Sequence, residues 1–175
     1  MKIIQTDRLI LRPLKIEDIT PAYVSALNDA DVTLLTESRH KSWDLVTVQK
    51  YVEASSPQNS ELIGIFLKKS LRHIGNIRLF NFHQYHKRVE LGIMIFAKDQ
   101  WSKGFGTESL VATENYVFNE LGLYKICADY YSINTGSAKI FKKAGYVVEG
   151  VFRNHFYLND TFVDSIRIAK FNNRI

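Results

Sequence analysis

The hydrophobic period of this chain changes at Gly104-Phe105-Gly106, and that change constrains the fold more than any other feature. Before it, residues 62–96 contain three apolar segments joined by short polar links, a pattern typical of strands in antiparallel hairpins. After it, apolar residues recur at helical spacing until Gly122. The sequence therefore predicts a strand, a glycine turn and a helix within a β-rich chain.

The remaining segments complete an α+β pattern. Further strands are predicted over residues 9–14, 125–131, 146–153 and 162–171, and further helices over 17–27, 44–53 and 137–144. A polar stretch at residues 55–60 is predicted to be a loop. Short links favour antiparallel neighbours, whereas a helix between two strands favours a parallel crossover. We expect a single domain over residues 1–175, with a central, mixed, mostly antiparallel twisted sheet flanked by about four helices.

Composition excludes several classes of protein. The only cysteine among the 175 residues, Cys127, cannot form an internal disulfide or supply a paired-thiolate zinc site, so we expect an inert core thiol and no metal. The longest apolar run, residues 91–97, is too short to span a membrane, which favours a cytoplasmic protein. The net charge of +5 favours anionic ligands without choosing between a phosphate cofactor and a nucleic acid.

The glycine turn has the geometry of an anion site. Two glycines at a helix N-terminus let backbone N–H groups converge on a pyrophosphate, and the helix dipole adds partial positive charge there. The stretch lacks the third glycine of a dinucleotide fingerprint, because Ser109 occupies that position, and it lacks the end of a Walker A loop. By itself it is also compatible with a plain strand-to-helix turn.

The whole stretch resembles the pyrophosphate loop of the GNAT N-acetyltransferase superfamily, Gln/Arg-x-x-Gly-x-Gly/Ala. It reads Trp101-Ser102-Lys103-Gly104-Phe105-Gly106-Thr107-Glu108, and Trp101 departs from the family's Gln/Arg position. This version is similar to the branch that includes the RimJ/RimL ribosomal-protein acetyltransferases. Three further motifs agree in order: Thr6-Asp7-Arg8-Leu9-Ile10-Leu11-Arg12, Asn134-Thr135-Gly136-Ser137 and Ala144-Gly145-Tyr146.

The resemblance implies direct transfer of acetyl from acetyl-CoA to a primary amine, without a covalent enzyme intermediate. In the family, the strand before the loop separates from its neighbour, and its free N–H groups hold the pantetheine and the acetyl carbonyl. The residues that correspond here, and those of the loop, are the predicted cofactor contacts: Met94, Ile95, Phe96, Trp101, Ser102, Lys103, Gly104, Phe105, Gly106, Thr107 and Asn134.

Two residues are candidates for proton transfer. Glu90 precedes the predicted carbonyl site on the same strand and could act as general base, directly or through water. The alternative is a solvated or salt-bridged strand residue beside Arg88. Many superfamily members carry a tyrosine where this chain has Phe141, so the resemblance points to Ser137 as donor to the leaving thiolate. The alternatives are a first-turn helix hydroxyl for Ser137 and an N-cap for Asn134.

The acceptor amine stays open between a protein N-terminus and a small amine such as a nucleotide-linked amino sugar. We expect its specificity to lie in residues 33–43 and 153–157. A non-catalytic acyl-CoA sensor is the alternative function. A nucleic-acid binder is disfavoured because basic residues are scattered and no motif supports it. No membrane partner is expected, and a homodimer is one option for the assembly.

Overall fold

A computed structural model describes residues 2–55 and 60–173 of the chain. The strands are β1 (Ile4–Gln5), β2 (Leu9–Pro13), β3 (Ser60–Leu67), β4 (His73–His83), β5 (Arg88–Ile95), β6 (Lys125–Tyr131), β7 (Val147–Leu158) and β8 (Thr161–Phe171). The α-helices are α1 (Pro21–Leu27), α2 (Ala30–Thr33), α3 (Leu45–Glu53), α4 (Phe105–Asn115) and α5 (Thr135–Lys143). The predicted loop at 55–60 falls mostly on residues 56–59, outside the described residues.

The eight described strands form one sheet in the order β1-β2-β3-β4-β5-β6-β8-β7. Neighbouring strands are antiparallel except β5 and β6, which are joined through α4 and pair in parallel. The prediction of a mixed, mostly antiparallel sheet is confirmed. The glycine turn, where the sequence changes its hydrophobic period, lies in the connection between these two parallel strands.

Element boundaries differ most from the prediction at the start of α1 and at the end of β7. The helix predicted over 17–27 begins only at Pro21, because proline favours the first helical position and Thr20 caps it by accepting a hydrogen bond from the Tyr23 amide at 3.2 Å. A separate 3-10 turn covers Ile16–Asp18. Strand β7 extends five residues beyond the predicted end at 153, because residues 156–158 continue to pair with β8 after an irregular segment.

The two faces of the sheet carry different helices. Successive side chains of a strand point to opposite faces, and on β6 Tyr130 stacks on Phe141 of α5 while Tyr131 bonds to Glu37 and Arg39. On β4, Asn76 donates to Tyr23 of α1. We call the side that carries α1, α3 and residues 37–40 the α3 face, and the side that carries α4 and α5 the α5 face.

The single cysteine lies in the core, as predicted. Cys127 is free and only 2% exposed, and burial raises the pKa of its thiol. A buried, protonated thiol is a poor nucleophile. Separately, none of the helices in the described part of the chain is long and apolar enough to cross a membrane.

A buried carboxyl group interrupts the apolar packing of α4. Glu114 is 6% exposed, and its Oε1 atom has no hydrogen-bond partner among the described residues. Burial raises the pKa of this carboxyl from its ordinary 4.5 to about 7, against the opposing effects of Lys170 and Tyr146. The carboxyl therefore keeps its proton in the folded protein at pH values where the unfolded chain has lost it.

This difference makes stability depend on pH. Between about pH 4.5 and about pH 7 the folded state binds more protons at Glu114 than the unfolded state, so stability decreases as the pH rises through this window. We expect the free energy of unfolding of the wild type to fall by about 1–2 kcal/mol across this pH window because of Glu114. Glu114→Gln should abolish that fall. Urea unfolding of both proteins at the two ends of the window measures it; equal pH slopes would contradict the assignment.

Candidate active site

The parallel strands β5 and β6 pair only at their first residues and then separate. Their register joins Arg88, Val89 and Glu90 to residues 125–127, yet β5 continues to Ile95 and β6 to Tyr131. Beyond Cys127, β6 pairs with β8. The separation opens a cleft of about 390 Å³ through the sheet, which we call the cleft.

The ladder with β4 shows which amides of β5 face the cleft. The Phe96 amide donates to the Ile74 carbonyl at 3.0 Å, which directs the polar groups of Phe96, and by strand alternation those of Met94, toward β4. Ile95 and Ile93 face the other way, and the Ile95 carbonyl accepts from the Trp101 indole at 2.7 Å.

The prediction of a free backbone amide is therefore wrong for Phe96, whose amide donates to the Ile74 carbonyl. By strand alternation it is also wrong for Met94, whose amide faces β4. Of the three predicted residues, Ile95 has its amide on the cleft side, and Ile93 joins it. The period of two along a strand could have identified Ile93, because it lies two residues before Ile95. The Met94 side chain nevertheless lines the cleft.

The N-terminus of α4 is open to a ligand. Its N-cap, Gly104, adopts a left-handed φ of +84°, and no side chain of the described residues caps the helix. The first amides of a helix have no acceptor within it, so those of residues 105–107 point outward. The uncapped amides, the left-handed glycine and the helix dipole suit a pyrophosphate.

An ion pair and hydrogen bonds among Thr6, Arg8 and Glu108 join this loop to the segment before β2; we call this group the ionic brace. Glu108 accepts hydrogen bonds from the Thr6 hydroxyl at 2.5 Å and from the Arg8 amide at 3.1 Å, and it pairs with the Arg8 guanidinium. Burial opposes ionisation of Glu108, but these hydrogen bonds outweigh it and lower its pKa. Arg8 also donates to the Lys103 carbonyl and lies over the Phe105 ring. The brace explains why the motifs at 6–12 and 101–108 occur together.

The other predicted cofactor contacts of the loop lie at different places around the N-terminus of α4. Trp101 is part-exposed and covers the end of β5 through its bond to Ile95. Ser102 adopts a left-handed φ of +61°, and Thr107 is half-buried in the first turn. Gly106 allows α4 to approach α5, since an added Cβ would lie 3.3 Å from Ile140.

The start of α5 forms another wall of the cleft. The Asn134 side chain accepts a hydrogen bond from the Ser137 amide at 2.9 Å, so Asn134 is the N-cap of α5. Both residues line the cleft. Phe141, which replaces the tyrosine of many family members, is buried and stacks on Tyr130 with 6.1 Å between ring centroids.

The predicted base, Glu90, belongs to a cluster of three charges on the α3 face. Arg167 of β8 pairs with Glu90 at 3.2 Å and with Asp129 of β6 at 2.5 Å. Burial disfavours the charged guanidinium, but the two carboxylates more than offset this and raise the pKa of Arg167. Glu90 is therefore salt-bridged, and its partner is Arg167 of β8. Asp129, which the sequence analysis missed, lines the cleft, whereas Glu90 is not among its described lining residues.

The two segments predicted to set acceptor specificity meet at Tyr131. Its hydroxyl donates to Glu37 at 2.9 Å and accepts from Arg39 at 2.7 Å, and its ring stacks on Phe156 with 3.8 Å between centroids. Arg39 also donates to the Tyr157 carbonyl. Burial and the bond to Glu37 raise the pKa of the Tyr131 hydroxyl, which keeps it protonated.

His73 is packed among the rings of Tyr23, Phe66 and Phe96, and burial lowers its pKa. Among residues 2–55 and 60–173, no group of three histidine, cysteine or acidic side chains is placed to hold a metal ion.

Comparisons with known proteins agree with this geometry. A family model described as "Acetyltransferase (GNAT) domain" matches residues 8–147. The chain is 28% identical to "Uncharacterized N-acetyltransferase YoaA" of Bacillus subtilis, over 93% of both chains. It is 27% identical to spermidine N(1)-acetyltransferase of Escherichia coli, over 92% of this chain and 84% of that protein. The structure of RimL, a ribosomal L7/L12 α-N-protein acetyltransferase in complex with coenzyme A, superposes with a TM-score of 0.87 at 16% identity, covering 99% of this chain and all of that one.

Proposed function

The chain belongs to the GNAT acetyltransferase family, whose model matches most of its length, and we propose that it transfers acetyl from acetyl-CoA to a primary amine in the cleft by direct attack. Membership makes the protein an acyltransferase with acetyl-CoA as co-substrate. The observation that carries the proposal is the separation of β5 from β6, which opens a cleft lined by Asp129 of the charged cluster and by Ser137 at the start of α5. A cytoplasmic location of the protein, where acetyl-CoA is supplied, is part of this proposal.

The N-termini of two helices hold the co-substrate in this proposal. Bound acetyl-CoA supplies a thioester, so that a C–N bond to the amine forms as the C–S bond breaks. The amides at the start of α4 bind its pyrophosphate, and Asn134 lies beside the pantetheine path. The Ile95 and Ile93 amides face the cleft and donate to the carbonyl oxygen as negative charge develops there.

In this proposal the amine of the acceptor binds at the carboxylates of the charged cluster. Glu90 and Asp129 share one guanidinium, which leaves one net negative charge where β5 and β6 separate. An ammonium group is attracted to that charge, and its proton passes to the carboxylate pair, directly or through water. This supports an amine acceptor, as does the name of the E. coli relative.

Ser137 is the proposed proton donor to the leaving thiolate. Its side chain lines the cleft at the start of α5. Because a thiolate is a good leaving group, with a thiol pKa of about 8.5, we expect Ser137→Ala to lower kcat by at most about 100-fold, the low end of the range for general acid–base catalysis. The dissociation constant of acetyl-CoA should stay unchanged. An unchanged kcat would leave Ser137 as a first-turn hydroxyl alone.

The experiment that tests the function is a screen of acceptors with acetyl-CoA, read by release of free thiol. Its members are N-terminal peptides, amino sugars free and nucleotide-linked, amino acids and polyamines. Turnover of any amine supports the proposal. Binding of acetyl-CoA without turnover of any acceptor would favour an acyl-CoA sensor and contradict the proposed transfer.

A further inference from the structure

One arginine of the cleft has no carboxylate partner. Among the described residues that line the cleft, Arg78 is the only lysine or arginine, and it forms no ion pair with a described acidic side chain. Its guanidinium lies over the rings of Tyr51 and Phe80, at 5.3 and 5.8 Å from their centroids. These rings position an exposed positive charge on the α3 face.

Nearby Arg39 is different, because its guanidinium is already occupied. It donates to the Tyr131 hydroxyl and to the carbonyl oxygens of Leu34 and Tyr157. Those bonds fasten residues 37–40 to β6 and β7. Arg78 interacts with the Tyr51 hydroxyl but has no ionic partner among the described residues, so it is the cation of the cleft that remains available to a ligand.

The register of β4 and β5 places this charge beside the proposed amine site. Arg78 lies directly opposite Gly92, where an added Cβ would have no neighbour within 4 Å, so the space beside the guanidinium is open. Glu90 lies two residues before Gly92 and on the same face. Diagonal neighbours of this kind lie about 7–8 Å apart, with their Cβ atoms somewhat closer, a separation that one small molecule can bridge.

We propose that Arg78 binds an anionic group of the acceptor, a carboxylate or a phosphate, while the acceptor amine lies at the carboxylates of Glu90 and Asp129. The inference rests on the proposed function and narrows its substrate class to small molecules that carry both an amine and an anion. A nucleotide-linked amino sugar and an amino acid both belong to this class. A polyamine does not, because Arg78 would repel its second ammonium group.

The test compares acceptors in matched pairs. Thiol release gives kcat/KM for phosphoethanolamine against ethanolamine, tyrosine against tyramine, and a nucleotide-linked amino sugar against the free sugar, with spermidine added. We expect the best acceptor to be an anionic member, and Arg78→Met to lower its kcat/KM by about 10- to 100-fold with little effect on the uncharged partner. Arg78→Lys should restore part of the loss. Whether carboxylates or phosphates rank first identifies the anion.

Arg88→Met is the matched control, because Arg88 lies on the neighbouring strand and is not among the described residues of the cleft; it should leave all kcat/KM values unchanged. A preference for spermidine or an uncharged amine in the wild type would overturn the inference, as would equal losses on both members of a pair in Arg78→Met. Acetyl-CoA binding without any turnover would instead overturn the proposed function, and the inference with it.

Discussion

Gly104→Glu is expected to weaken acetyl-CoA binding by about 100-fold or more. The substitution places a carboxylate at the N-cap of α4, where an added Cβ would lie 3.4 Å from the Arg8 guanidinium. There it would repel the pyrophosphate and compete for the amides that bind it, and each charge-assisted hydrogen bond lost costs about 1.5–3 kcal/mol. Calorimetric titration with acetyl-CoA measures the change.

Gly122→Glu provides the control for backbone strain. Gly122 also has a left-handed conformation, with φ +64°, and nothing lies within 4 Å of an added Cβ. Both variants therefore carry the same charge and a similar cost of about 1–2 kcal/mol for a side chain at positive φ. Only Gly104→Glu should lose affinity. Equal affinities in the two folded variants would place the anion site elsewhere.

Local patterns predicted most of the fold and the loop, because their physical causes are local. The glycines and the change of period at residues 104–106 predict a strand, a turn and a helix, and the structure contains them. Strand β6 has the predicted bounds, since β-branched and aromatic residues fill it. The predicted start of α1 at residue 17 is wrong, because Thr20 caps the helix and Pro21 occupies its first position, while the acidic residues before them lie in a separate 3-10 turn.

The residues of the candidate site that were not predicted from the sequence are brought together by pairing between distant segments. Asp129 and Arg167 meet because the register of β6 with β8 sets them directly opposite one another, and no local pattern specifies that register. Arg78 is comparable, since its place beside the cleft follows from the pairing of β4 with β5. The sequence offers charged residues on strands, whereas the topology decides which of them meet.

The shared guanidinium bears on how the proton leaves the acceptor. Arg167 holds both Glu90 and Asp129, and the two carboxylates differ in access: 19% of the Glu90 side chain is exposed against 37% of the Asp129 side chain. Asp129 also lines the cleft. A group that receives a proton from the amine must reach it within hydrogen-bond distance or through one water. We infer that Asp129 meets that condition better and that Glu90 orients Arg167.

Asp129→Asn is therefore expected to lower kcat by about 100-fold or more, within the range for loss of a general base, while acetyl-CoA affinity stays unchanged. Glu90→Gln should lower kcat by about 10-fold or less, because it removes one partner of Arg167 and leaves the other. Glu149→Gln is the control, since Glu149 pairs with Lys125 and is not among the described residues of the cleft. Steady-state kinetics with the best acceptor decides between the carboxylates. A larger loss in Glu90→Gln than in Asp129→Asn would assign the base to Glu90, as the sequence first indicated.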